Sequence, residues 1–142
     1  MSNAEANGWE SFGELKRDSF AASIGALHHR DAGNGMVQIR MNPTEALLNP
    51  GGSVHGGAIM TFIDMALFAG GKFGGQLPGH FVTLDCATHF IARTMAGSPL
   101  DAFVRVVGQT KGGMVFLSGH CEQDGVTTHS FTGTLKKIRD RT

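Results

Sequence analysis

Between residues 57 and 68 the chain is apolar around almost every face of a helical period, with Ile59, Met60, Phe62, Ile63, Met65, Ala66, Leu67 and Phe68 broken only by Thr61 and Asp64. A helix without a polar face belongs in an interior, so the pattern predicts a buried helix from about Gly57 to Phe68, closed by Gly70-Gly71. Upstream, Val37, Ile39 and Met41 alternate with polar neighbours, the mark of a half-buried strand. Two strands are predicted over 20–30 and 36–42, joined at Asp31-Ala32-Gly33-Asn34-Gly35, where Gly and Asn tolerate the positive φ of a hairpin turn. Downstream, residues 81–93, 100–111, 113–123 and 126–138 are β-type runs separated by Gly97-Ser98-Pro99, Gly112-Gly113 and Asp124-Gly125. These gaps are too short for crossover helices, which predicts an antiparallel meander. One apolar helix with five or six strands makes an α+β domain whose sheet covers the helix. Near the start, Trp9, Phe12 and Leu15 have helical spacing and predict a short amphipathic lead-in helix over 8–18.

Length and charge narrow this picture. The 142 residues are read as a single domain, 1–142, with residues 1–19 as a lead-in segment in which Ser2, Asn3 and Ala4 look like an expression-tag remnant. Lys plus Arg and Asp plus Glu balance at 12 each, so no general field draws the chain to nucleic acid or to an anionic membrane. The absence of a long apolar span and of a basic-then-apolar leader predicts a cytoplasmic protein. Cys86 and Cys121 fall in strand-like runs without metal spacing and are expected as reduced, buried thiols.

The candidate chemistry lies at the helix. A carboxylate is costly to bury without a partner or a task, which singles out Asp64. At 3.6 residues per turn Gly57, Thr61, Asp64 and Phe68 share one stripe. In front of the helix, Gly56 and Gly57 permit close approach to a backbone whose first-turn amides are unpaired donors at the positive helix end. Such donors can polarise a carbonyl and hold the charge that develops on it. His55 either contacts a substrate or caps the helix.

Asn49, five residues, His55-Gly56-Gly57, six residues, Asp64, followed by the strand Val82-Thr83-Leu84-Asp85, resembles the hotdog-fold acyl-CoA thioesterases, in particular their phenylacetate-pathway, PaaI-like branch. The resemblance spans roughly residues 35–138 and implies a hotdog fold, an antiparallel sheet wrapped around one long helix. It implies Asp64 as general base or nucleophile, the Gly57 amide as donor to the thioester carbonyl, Asn49 as the side chain that positions water or the acid, His55 as the residue shaping the loop, and Thr83 as orienting the nucleophile. Gly56, Thr61, Phe62, Met65, Phe68, Phe90 and Arg93 are the candidate substrate contacts, with Phe73 a further aromatic wall residue. Lys111, Lys136, Lys137 and Arg139 are candidate phosphate partners for coenzyme A, which enters as part of the substrate; no separate cofactor is expected.

Helix geometry adds a constraint. Gly57 and Asp64 stand seven residues apart, roughly 10 Å along a helix axis, too far for one carbonyl to meet both. If both serve one thioester they come from two chains, which predicts a homodimer with shared sites; the resemblance implies a further doubling to a dimer of dimers. Gly70-Gly71-Lys72 lacks the spacing of a phosphate-binding loop, the seven histidines show no helical HxxxH pair for zinc, and no GxSxG elbow occurs. Two alternatives stay open: a hotdog hydratase or dehydratase with His55 and Asp64 as acid and base, and an acyl-CoA-binding module without turnover.

Overall fold

The apolar run forms helix α1, Gly56–Ala69, with Ile59, Phe62, Ile63, Ala66, Leu67 and Ala69 buried. Each large apolar side chain so enclosed contributes about 1.5–3 kcal/mol relative to exposure. The structure, a computed structural model, describes residues 7–12 and 19–138. Its strands are β1 (Glu10–Ser11), β2 (Leu27–Gly33), β3 (Met36–Met41), β4 (His80–Phe90), β5 (Leu100–Gln109), β6 (Met114–Gln123) and β7 (Val126–Ile138). They form one antiparallel sheet in the order β1-β2-β3-β5-β6-β7-β4. The buried faces of β2, β3, β5, β6 and β7 close on α1 in a single core. This is the hotdog arrangement that the motif resemblance implies.

Several expected boundaries move, each for a local reason. Residues 21–24 form a 3-10 turn, so the first long strand begins only at Leu27. The hairpin turn sits at Asn34-Gly35, both with positive φ, and Asp31 Oδ1 accepts the Gly33 N–H at 2.7 Å. No lead-in helix runs through residues 9–11: Glu10 and Ser11 pair with β2, and Trp9 is buried with the guanidinium groups of Arg30 and Arg40 over its ring at 4.4 and 4.7 Å. Leu15 and Arg139 lie outside the described residues. Gly70 caps α1 as expected, but not in a left-handed conformation. It keeps right-handed dihedrals and leads into a π-helical turn, Gly70–Gly74. Its lack of a Cβ serves packing instead, since that atom would meet Leu117 and Val104 methyls at 2.9 Å.

The meander expectation holds for β5, β6 and β7 but not for β4, which pairs with the far side of β7. That placement makes β4 an edge strand. A bulge between Thr83 and Asp85 changes its phase, so that Thr83 and Cys86 are half-buried while Val82, Leu84 and Asp85 are exposed. Both cysteines are free; burial pushes the Cys121 thiol up to about 12 and raises Cys86 as well. Among the described residues no helix is long and apolar enough to cross a membrane.

Candidate active site

His55 is the N-cap of α1, and its Nδ1 accepts the Gly57 N–H at 2.8 Å. The next two amides, of Ala58 and Ile59, donate to the His55 carbonyl at 2.9 and 3.1 Å. The Gly57 amide, expected to face a thioester, is therefore engaged by the cap. The Gly56 N–H has no hydrogen-bond partner among the described residues, and Gly56 lines a cavity. The available donor of the first turn is one residue earlier than expected, because a His cap reaches forward to the second helical amide.

Asn49 builds the loop in front of the helix. Its Oδ1 accepts the backbone N–H groups of Gly51 and Ser53 at 3.0 and 3.2 Å, and its Nδ2 lies 3.3 Å from Ser53 Oγ. Arg93 donates to the Gly51 carbonyl from the opposite side at 3.0 Å. Between these groups opens a cavity of about 350 Å³, lined by Asn49, Gly56 and Ile59 on one side and by Phe90, Arg93 and His129 on the other. Of the expected substrate contacts it gathers Gly56, Phe90 and Arg93.

Asp64 stands elsewhere. It is half-buried on the stripe it shares with Gly57, Thr61 and Phe68, and every residue of that stripe is at least partly open. Thr83 Oγ1 donates to Asp64 Oδ1 at 2.7 Å, a bond that ties β4 to the helix. Thr61 turns back on its own helix, donating to the Gly57 carbonyl at 2.8 Å. Within one chain, then, the candidate residues fall into two separate groups: Asn49, His55 and Gly56 at the helix N-terminus, and Asp64 with Thr83 two turns further on.

The aromatic wall residues divide. Phe62 is fully buried in the core, while Met65 and Phe68 are half-buried against it. Phe73 stacks on His29 with ring centroids 3.7 Å apart, beyond the other end of α1. A larger cavity of about 410 Å³ lies there, and none of the motif residues lines it. Lys111 and Lys137 line a third cavity of about 230 Å³ with Pro78 and Phe81, and Lys136 donates to the Gly112 carbonyl. Thr94 and His129 were not anticipated. His129 reaches the site only through the β4–β7 register, which pairs it with Phe90, and no local pattern announces that pairing.

The sequence profile of the thioesterase superfamily matches residues 51–128, more than half of the chain. The chain belongs to that superfamily. It is accordingly a thioester hydrolase. Among solved structures, the chain resembles the PaaI protein of the Escherichia coli phenylacetic acid degradation operon at 24% identity, covering 87% of this chain and 86% of that one, with a TM-score of 0.73. A hypothetical thioesterase protein of Streptococcus pneumoniae TIGR4, solved with coenzyme A, is 19% identical over 82% of this chain and 88% of that one, at a TM-score of 0.69. A phenylacetic acid degradation-related protein of Ralstonia eutropha JMP134 is 24% identical over 87% of this chain and 93% of that one, at a TM-score of 0.68. These likenesses establish the hotdog fold. No curated protein sequence matches the chain.

Proposed function

We propose that this hydrolase acts on acyl-CoA thioesters with an aryl or medium-chain acyl group, in the manner of the PaaI-like branch, at sites shared between the two subunits of a homodimer. The observation that carries the reading is the Asp64 carboxylate, held by Thr83 on an open helix stripe, together with a Gly56 N–H that lies beside a cavity and has no hydrogen-bond partner among the described residues. Gly56 and Asp64 are eight residues apart, roughly 12 Å along the helix, so each site takes Gly56 from one subunit and Asp64 from its partner. The free β4 edge, with Val82 and Leu84 exposed beside it, supports a second copy of the chain as the partner. A dimer of dimers extends the same assembly.

In this site the Gly56 N–H polarises the thioester carbonyl at the positive end of α1, supported by the Asn49 loop and the His55 cap. Asp64 takes a proton from water as it attacks the carbonyl carbon, and the tetrahedral oxyanion collapses to the free acid as it expels the coenzyme A thiolate; alternatively the carboxylate attacks the carbon itself, the thiolate leaves, and water then hydrolyses the resulting acyl-Asp64 anhydride to the acid and the regenerated carboxylate. Thr83 holds the carboxylate in place. Lys111 and Lys137 serve the phosphate end of coenzyme A: Phe81 of their cavity precedes Thr83 by two residues on the same strand face. Coenzyme A is part of the substrate, and the mechanism uses no other cofactor. The free thiols are in keeping with a cytoplasmic location.

The test is Asp64→Asn, which keeps the shape and removes the base. Thiol release from acyl-CoA is expected to fall by about 100-fold or more while acyl-CoA still binds. Turnover at the wild-type rate would refute the mechanism.

A further inference from the structure

We infer that Gln123 is a positioning residue for the carbonyl-polarising end of the site: it anchors one side of the Thr94–Met95 peptide so that the other side holds the loop in front of the Gly56 N–H. The inference rests on the Gly56 donor and the shared site proposed above, and adds to them a residue that acts through others.

Gln123 ends β6 and is buried. Its Oε1 accepts the Met95 N–H at 2.8 Å, and its Nε2 donates to the Met95 and Ser98 carbonyls at 2.8 and 2.9 Å. Both amide hydrogens are thereby used. The Met95 N–H and the Thr94 carbonyl belong to one planar peptide unit, so an anchor on the nitrogen fixes the direction of the oxygen. That oxygen accepts the Val54 N–H at 2.8 Å. Val54 stands two residues before Gly56, and His55 between them donates its own N–H to the Leu47 carbonyl at 2.8 Å and caps the helix through its side chain. One residue before Thr94, Arg93 donates to the Gly51 carbonyl at 3.0 Å. Gln123 thus stands behind two ties that meet the front loop at Gly51 and at Val54.

The side chain of Thr94 shows that these ties, and not local preference, set the loop. Thr94 Oγ1 is buried and has no hydrogen-bond partner among the described residues. A threonine left to its own preference turns its hydroxyl onto a nearby backbone group, and an orphan buried hydroxyl costs about 1–3 kcal/mol. The loop keeps this conformation because it is held from outside, by Gln123, by Val54 and by the Pro43 carbonyl, which accepts the Gly97 N–H at 3.1 Å. An uncharged amide suits position 123, since a carboxylate there would face the Met95 and Ser98 carbonyl oxygens to which the amide donates. The loop so held supplies Ala92, Arg93 and Thr94 to the wall of the cavity beside Gly56. A misplacement of about 1 Å at a reacting centre can cost about 100-fold in rate, which is how a residue behind the wall acts on the reaction.

The experiment uses a verified heterodimer of an Asp64→Asn subunit and a Gly56→Pro subunit, whose one intact site takes Gly56 from the first and Asp64 from the second. Gln123→Met, which keeps the length of the side chain and removes its hydrogen bonds, is added to either subunit in turn. With an acyl-CoA that the wild type hydrolyses, kcat for thiol release is expected to be about tenfold lower when the change is in the subunit supplying Gly56 than when it is in the subunit supplying Asp64. A loss of stability alone lowers both alike, so equal kcat for the two placements overturns the proposal. If Gln123→Met does not fold, Gln123→Asn, one methylene shorter, takes its place. If the heterodimer is inactive before any change at Gln123, it is the shared site that fails, and the homodimer then decides Gln123. There kcat should fall about tenfold while hydrogen exchange at the Val54 amide quickens by about tenfold, and an unchanged value of either overturns the proposal.

Discussion

The first two glycines of the helix look equivalent in sequence and are not equivalent in chemistry. His55 takes the Gly57 N–H and leaves that of Gly56 without a protein partner among the described residues. Gly56 is the first residue of α1, a position that accepts proline because its N–H makes no helical bond. His55 ahead of it already has ψ 137°, as a residue before proline requires, and a Cβ at position 56 would meet Phe90 at an ordinary 3.7 Å. Gly56→Pro is therefore expected to keep the fold and to lower kcat by about 100-fold or more; retention of wild-type kcat would transfer the donor role elsewhere. The buried imidazoles carry a second prediction. Burial lowers His129 from the ordinary 6.5, and lowers His29 against a partial opposing pull from Glu10. Below pH 6.5 the unfolded chain binds protons at these rings that the folded chain refuses until the lowered values are reached. Stability is thus complete above 6.5 and lost as pH falls through that window. The urea midpoint should be lower at about pH 5.5 than at about pH 7.5, and His129→Gln should flatten the difference. An unchanged pH dependence in that variant would remove His129 from the account.

Helix α1 lies against its sheet closely enough that glycine is needed at the points of contact. At Gly70 a methyl group would stand 2.9 Å from Leu117 Cδ2 and Val104 Cγ2, and at Gly133 of β7 it would run into Leu67. Gly70→Ala should destabilise the protein by about 1–3 kcal/mol through overpacking, despite the better helix propensity of alanine. A urea midpoint equal to or above wild type would show that the neighbouring methyls yield. The same close approach brings Thr83 within 2.7 Å of Asp64, and the bulge beside Thr83 sets the phase in which the strand presents it. Strand β4 thus has two consequences at once: it holds the Asp64 carboxylate through Thr83, and it forms an edge of the sheet among the described residues.

Gly56 and Asp64 stand at separate places along one helix, so on the proposed shared-site reading assembly decides activity. Leu84→Lys places a charge on the exposed edge strand and is expected to shift the protein to monomer in sedimentation velocity, with thiol release falling towards background. An active monomer would exclude the shared site. A verified heterodimer of Asp64→Asn and Gly56→Pro subunits should recover about half of wild-type activity, because one of its two sites then has an intact donor and an intact base. No recovery would refute the shared site.

Periodicity was enough to reveal the central helix, the hairpin at Asn34-Gly35 and the four long strands, because these depend on contacts between residues close in the chain and on alternation against a single core. The spacing from Asn49 through Asp64 disclosed the family, since the loop, the cap and the helix stripe are all local. Tertiary structure alone decided that β4 lies beyond β7 and that the missing Cβ of Gly70 serves packing rather than a left-handed cap. It also brought His129 to Phe90 across β4 and β7. Strand order and the clearance above a glycine depend on groups far apart in sequence, and only the folded chain places them together.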